Sequence, residues 1–519
     1  MGPGPALDGF LEEAPRSQVV IGPDGEVTPG KYDRVAVTVR DRAELRAVRV
    51  GKGVRTTAVA VWLDEGVAAL SLTPRPEWPA LQLIRSRAVD GGWLTVLRFA
   101  AAVPVHRVVA ELGRQAVWPD HAGQRGVVLD EEATDKVASD PVELVEPDPV
   151  LAVGPLDERV LNPLGFERDV TQPVLDLSDL DWGRGPTESL VRGLRPHLGV
   201  HADLPQATPL LAARVVAGLA MAGVPLSAER VATRVAHHLG PDVTAAVTAP
   251  VDLTDPQARE EHSVVLRRAA LSTFSSGGWR RRLGRLAGVR VAAQPTVSVV
   301  MATRRPDLLE HALGQVSRQR GVDALELVLA PHGFEPDVAQ VRELAGVEVQ
   351  VLPQPEDSLF GDVLHAAATA ASGDVVMKMD DDDWYAPDAV ADLLLARAYS
   401  GAELVGMPDD LYYLEPSDET VRLGQPSEVY RQFVAGGTLM LDRGLLHEVG
   451  GFRSVRRHVD AELIAAVRAA GGATYRTHGL GYVLRRTDGG HTWQADLDAI
   501  RERAVETRPG FAPGRLMER

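Results

Sequence analysis

From residue 296 onward, short apolar runs alternate with stretches of helical spacing. Residues 296–302, 325–329 and 347–352 read as strands, and residues 308–318, 338–344 and 362–371 carry apolar positions at helical intervals. A last apolar run, Val375-Val376-Met377-Lys378-Met379, ends in Asp380-Asp381-Asp382-Asp383 and then Trp384-Tyr385. Strands alternating with helices of this length predict βαβ units and a parallel sheet. Ligands of such sheets sit beyond the carboxyl ends of the strands. The segments after 302, after 329 and after 379 all fall at that edge.

The rest of the chain patterns differently. Residues 1–145 read as a separate α/β unit, with strands at 19–21, 32–40, 57–63 and 92–100 and helices at 42–50 and 105–112. Gly51-Lys52-Gly53 lacks the spacing of a P-loop and reads as a turn. A Pro- and acid-rich stretch at 140–149 marks a boundary. Residues 146–290 read as an irregular, then mainly helical linker domain, with helices at 210–222, 227–239 (opening on Ser227) and 255–272. Residues 291–500 form the third unit and 501–519 a C-terminal tail. The run Trp279-Arg280-Arg281-Arg282-Leu283-Gly284-Arg285 is a basic helical end, either a solvated face or a contact for an acceptor phosphate or an anionic membrane surface.

Composition narrows the classes. Of 519 residues, 45% are hydrophobic and 24% charged, ordinary for a globular chain of about three domains. With 55 Lys plus Arg against 72 Asp plus Glu, the net charge of −17 argues against nucleic acid as a partner. The absence of cysteine excludes disulfides, thiolate nucleophiles and Cys-based zinc sites. The first 15 residues have no basic segment followed by an apolar one, so a cytoplasmic location is expected, with peripheral attachment to the inner membrane face a further expectation. Oligomeric state is not legible.

Four adjacent carboxylates repel one another, and their ionisation in a cleft is costly without a cation nearby. An acidic run is more often a solvated loop or a helix start. Here it follows an apolar strand at the ligand-binding edge, which favours an oxygen-rich site for Mg²⁺ or Mn²⁺. If strand geometry persists, Asp380 and Asp382 share one side and Asp381 and Asp383 the other. A turn starting at Asp382 would bring Asp383 in instead.

Residues 296 to about 495 resemble the family 2 glycosyltransferases of GT-A fold. Val297-Ser298-Val299-Val300-Met301-Ala302-Thr303-Arg304-Arg305-Pro306 resembles the opening motif of that family. Gly373-Asp374 through Asp383 resembles its metal motif, and Gly436-Gly437 with Val449-Gly450-Gly451-Phe452 its acceptor-side segment. Val459-Asp460-Ala461-Glu462-Leu463 stands where the family has a catalytic carboxylate, and Arg485-Arg486 through His491 and Trp493 resembles a late segment. The resemblance implies a metal-dependent inverting transferase acting on a nucleotide-sugar donor and a glycan or lipid-linked acceptor, as in cell-surface polysaccharide synthesis. It implies Asp460 as general base with Glu462 in reserve. Thr303, Arg304, Arg305, Asp381, Asp382, Arg485 and Arg486 would bind the nucleotide sugar; Asp380, Asp382, Asp383 and His491 would hold the metal. Two departures stand out. Ala330-Pro331-His332-Gly333 replaces the acidic pair that often reads the base, and Val459-Asp460 replaces an acidic pair. A nucleotidyltransferase of similar fold, which would need a Gly-rich triphosphate loop that is missing, and a scaffold with a decayed transferase domain are the competing readings.

Overall fold

The computed structural model describes residues 5–12, 17–22, 27–64, 81–89, 92–115, 148–180, 182, 185–202, 207–286, 288, 294–487 and 497–518. Most of the expected boundary at 140–149 lies outside them, as do His491 and Trp493.

The N-terminal unit is a six-stranded mixed sheet. Gln18–Ile21, Arg34–Val39 and Val54–Leu63 run parallel; Gly92–Pro104 and Leu81–Val89 add antiparallel strands, and Gly30–Tyr32 pairs with the start of Val54–Leu63. The helix Val105–Gln115 covers one face, burying Val105, Val108, Val109 and Leu112 against Val35, Val37, Val59 and Val61. The helix Pro5–Glu12, whose Leu7 and Phe10 pack on the other face, and the strand Leu81–Val89 were not anticipated by the apolar pattern.

The third unit contains an eight-stranded sheet. In chain order its strands are β1 (Val297–Thr303), β2 (Leu325–Pro331), β3 (Glu348–Val351), β4 (Val375–Lys378), β5 (Leu404–Gly406), β6 (Val429–Tyr430), β7 (Met440–Asp442) and β8 (Thr474–Arg476). Their spatial order is β3-β2-β1-β4-β7-β5-β8-β6. The first four are parallel, as expected; β7 then runs antiparallel to both β4 and β5. β1 and β4 are buried almost throughout, which suits strands covered by helices on both faces. Gly373 precedes β4 because a Cβ there would meet the backbone N and Oγ of Ser298 at 2.7 Å. A second, five-stranded sheet joins Trp384–Tyr385, Tyr482–Arg486, Leu411–Leu414, Glu419–Arg422 and Glu506–Pro509.

Three expectations need correction. Residues 501–519 are no loose tail: Glu506–Pro509 pairs with Glu419–Arg422, and Leu516 and Met517 pack against Val264 and Leu411. The helix expected at 227–239 begins at Thr233 and runs to Thr248 with a kink at Gly240; Leu226–Ser227 is a short strand, so Ser227 caps nothing. The helical region is not a linker domain with its own core either, because one apolar core runs from Val150, Val216 and Leu266 into Val299, Leu393 and Tyr475.

The helix Pro256–Phe274 forms that junction. Asp255 caps it, accepting from Gln257 N at 2.8 Å and Ala258 N at 3.1 Å, with Pro256 in the first turn. Its buried side chains reach across as ion pairs. Arg268 holds Asp388 and Asp392, Arg267 holds Glu428 at 2.5 Å, and Glu260 holds Arg422 at 2.6 Å. Losing one partner of such a pair costs about 3–5 kcal/mol, since it strands the other charge.

Candidate active site

The strand of the acidic run stops at Lys378, and Asp380–Asp383 lie in the turn beyond it. Strand alternation therefore does not extend to the aspartates, and their pairing differs from the expected one. Asp381 and Asp382 have a partner in common, Arg305 from the loop after β1. Its Nη1 donates to Asp382 Oδ2 at 2.9 Å and its Nε to Asp381 Oδ2 at 3.2 Å, while Nη2 donates to Asp381 Oδ1. Thr303 Oγ1, at the end of β1, donates to Asp381 Oδ2 at 2.5 Å and accepts from Arg305 N at 3.1 Å. The first and fourth strands of the sequence are neighbours in the sheet, so the two motifs meet at one edge.

Asp380 has a different partner. Lys378 Nζ donates to Asp380 Oδ1 at 2.6 Å and lies 3.4 Å from Asp460 Oδ1. Asp460 stands in the first turn of the helix Val459–Ala469, beside the turn Gly436–Thr438. A Cβ on Gly436 would collide with the Asp460 carboxylate, and one on Gly437 would lie 2.9 Å from Asp380 Oδ2. These glycines keep the space before both carboxylates clear. Tyr385 ties the turn to the acidic run, accepting from Asp380 N at 2.8 Å and donating to Gly437 O at 2.8 Å. Tyr385 N in turn donates to Gln315 Oε1 at 3.0 Å.

Asp383 is spoken for. Its Oδ1 accepts from Arg485 N at 2.9 Å, its Oδ2 accepts from Tyr482 Oη, and its backbone oxygen meets His311 Nε2 at 2.9 Å. It joins the acidic turn to the second sheet.

The electrostatics follow from this arrangement. Burial raises the Asp381 carboxyl above its usual range; Arg305 opposes the shift and Asp382 adds to it. Burial, then repulsion from Asp382 and Asp380, pushes Asp383 well up. Asp460 is raised by burial and by Asp380, against the pull of Lys378. Lys378 and Arg305 are both disfavoured by burial, yet their carboxylate partners outweigh it and hold them more firmly protonated than usual. Lys378 and the half-buried Arg305 thus serve two carboxylates each, Asp383 pairs with neither, and the cluster carries a local excess of negative charge.

A divalent cation fits this donor set only in part. Asp380 and Asp382 offer hard oxygen ligands of the type Mg²⁺ or Mn²⁺ takes, with side chains 31% and 11% exposed. Each Asp383 oxygen already accepts one hydrogen bond, which leaves it fewer lone pairs for a cation than Asp380 has. Among the described residues, no three His, Asp or Glu side chains converge on a ready-made metal site. The pair Asp380 and Asp382 would share the cation with a ligand such as a diphosphate.

Other expected residues stand apart. Arg304 packs on His332, with Nε 3.0 Å from its Nδ1, and also reaches Glu356 O. Burial, then the Arg304 charge, lowers the His332 pKa. Arg485 pairs with Glu415 at 2.6 Å and lies over the Trp384 ring, and Arg486 lies over Tyr412. Glu462 is exposed, two residues along the helix from Asp460 and hence on another face. His478, buried, meets Asp392 at 2.8 Å. Sequence reasoning missed Lys378, Tyr385, Tyr482 and Gln315. Only Lys378 carried a signal, a charge in the middle of an apolar run.

The first and fourth strands bring an Arg-Pro loop against an acidic turn, as expected of the GT-A-like nucleotide-diphospho-sugar transferase domain that the sequence resembles. Residues 298–464, about a third of the chain, match the sequence model described as Glycosyl transferase family 2, and this stretch is a glycosyltransferase domain of that family. Similar solved structures include the mannosyltransferase PcManGT from Pyrobaculum calidifontis in complex with GDP-Man and Mn²⁺, at 18% identity and a TM-score of 0.31 over 41% of this chain and 64% of that one. Another is TarS 1-349 from S. aureus in complex with UDP-GlcNAc, at 12% identity and a TM-score of 0.31 over 40% of this chain and 64% of that one. The match thus spans less than two thirds of either protein. No curated protein matches the chain in sequence. Among the described residues, no helix is long and apolar enough to cross a membrane.

Proposed function

We propose that this chain is a metal-dependent inverting glycosyltransferase that moves a sugar from a nucleotide-sugar donor to a hydroxyl of a glycan or lipid-linked acceptor. The observation that carries the reading is that Arg305 reaches Asp381 and Asp382 while the adjacent Asp380 meets Asp460 through Lys378 beside the Gly436–Gly437 turn, residues from distant parts of the chain. Thr303 and Arg305 fix the acidic turn against the β1 loop, where the donor's nucleoside and diphosphate would lie. Mn²⁺ or Mg²⁺ bound by Asp380 and Asp382 would neutralise the charge that develops on the leaving diphosphate.

Asp460 is the general base of this reading. The acceptor oxygen attacks the anomeric carbon as its proton passes to the Asp460 carboxylate. The bond from that carbon to the diphosphate oxygen breaks, and its electron pair leaves with the nucleoside diphosphate. A raised Asp460 pKa suits a group that must accept a proton near neutral pH. One displacement with one base and no nucleophile inverts the anomeric centre. Arg304, turned to His332, takes no part in phosphate binding in this account, and Arg485 and Arg486 support the acidic turn through Asp383. Glu462 is left without a role.

The test is a transfer and hydrolysis assay over a panel of nucleotide sugars with Mn²⁺, comparing wild type with Asp382→Ala and Asp460→Asn. Turnover of at least one donor, lost in both variants, supports the reading; undiminished turnover in both would sink it.

A further inference from the structure

Position 378 needs no charge to complete the sheet. Val375, Met377 and Met379 point into one apolar core and Val376 into another, on the face that position 378 shares. Packing alone would accept a methionine there. The chain instead places a lysine with a side chain 2% exposed, and burying an ammonium is costly unless it is paired. Its carboxylate partners are Asp380 at 2.6 Å and Asp460 at 3.4 Å, the latter 82 residues further along the chain.

We infer that Lys378 is a positioning residue that ties the acceptor-side carboxylate, Asp460, to the donor-side carboxylate, Asp380. The inference rests on the roles proposed above for those two aspartates. The ammonium shares itself between two like charges that would otherwise repel across the Gly436–Gly437 turn. It thereby fixes the distance from the base to the diphosphate end of the site. Lys378 itself touches neither donor nor acceptor. It also competes with any cation for Asp380, so the tie has a signature independent of catalysis.

The experiment uses the full chain as Lys378→Met and Lys378→Arg, with steady-state transfer kinetics and a calorimetric titration by Mn²⁺ alone. Lys378→Met is expected to lower kcat about 100-fold with the donor KM held within about threefold, since a displaced base loses its catalytic contribution but not the donor contacts. Lys378→Arg should recover about tenfold of that loss, because a guanidinium keeps the charge but not the geometry. Mn²⁺ alone should bind Lys378→Met about fivefold more tightly than wild type, as Asp380 loses its competing cation. An unchanged kcat, or Mn²⁺ binding that is unchanged or weaker, would overturn the inference. If wild type turns over no donor, the proposed function fails, and the Mn²⁺ comparison still decides the Lys378 tie either way.

Discussion

Two clusters of buried carboxylates lie in this molecule, and they are built on opposite plans. Along the helix Pro256–Phe274, Asp392 is held by Arg268 and His478, Glu260 by Arg422, and Glu428 by Arg267 with the hydroxyls of Tyr399, Tyr475 and Thr477. Arg268 and His478 hold the Asp392 carboxyl well below its usual range although burial opposes them, and Arg422 does the same for Glu260. Every acid there has a cation beside it. Around the acidic turn, Lys378 and Arg305 each serve two carboxylates, Asp383 relies on Tyr482 and the Arg485 backbone instead, and Asp381, Asp383 and Asp460 are pushed up. The first plan welds the helical region to the transferase domain. The second leaves negative charge unneutralised at the open edge of the sheet, the condition a bound cation or a proton relieves. Completeness of pairing separates scaffold from site.

The sharpest way to break this contrast is to remove one charged side chain from each cluster. Asp460→Asn should lower transfer by about 10²–10⁴-fold while leaving the melting temperature nearly unchanged. Arg268→Ala should do the reverse, costing up to about 3–5 kcal/mol of stability by leaving buried Asp392 with His478 alone beside it, with kcat of the folded fraction preserved. Thermal melts and kinetics on the same preparations check both. If Arg268→Ala abolished activity without loss of stability, the division would be wrong.

The pH dependence separates the clusters further. Asp392 has a depressed pKa, so its stabilising effect is complete above the ordinary carboxylate pKa and is lost as pH falls through the depressed one. Asp383 is the opposite case. Its raised pKa means that the folded state is favoured at low pH, and that favour is lost as pH rises through the folded value. Asp383→Asn should therefore stabilise the chain at pH 7, with the gain shrinking as pH falls. Urea unfolding of wild type and variant at a series of pH values from neutral downward reads the trend; a gain that grows on acidification would reverse the assignment.

The smallest expected effect concerns the C-terminal segment. Phe511 packs on Trp384 with ring centroids 4.7 Å apart and on Tyr413 at 5.4 Å. Phe511→Ala should cost about 1 kcal/mol, because the ring is partly exposed, and should raise the donor KM only slightly. Kinetics over the donor panel check it.

The parallel strands and the turn after each were legible in the sequence because their apolar runs and helix intervals are regular. The acidic turn, the Arg-Pro loop and Asp460 were legible as motifs. What escaped was anything set by tertiary pairing. The end of β4 at Lys378 depends on its partners β1 and β7, so the alternation of Asp380 and Asp382 had no local sign of stopping. The strand Glu506–Pro509, Glu-Thr-Arg-Pro, has almost no apolar content and exists because Glu419–Arg422 offers an edge. Ser227 looked like a helix cap because its residue type suits one, yet Leu226–Ser227 is drawn into a three-stranded sheet with Val200–His201. Lys378 was visible as an anomaly but unreadable, since its partner Asp460 lies 82 residues further along the chain.

The most direct measurement is calorimetric binding of a panel of nucleotide sugars, with and without Mn²⁺, to wild type and Asp382→Ala. The account predicts that at least one donor binds wild type, that Mn²⁺ tightens it by about tenfold or more, and that Asp382→Ala removes the metal effect. Failure of every donor to bind, or identical metal-dependent binding by the variant, would contradict it.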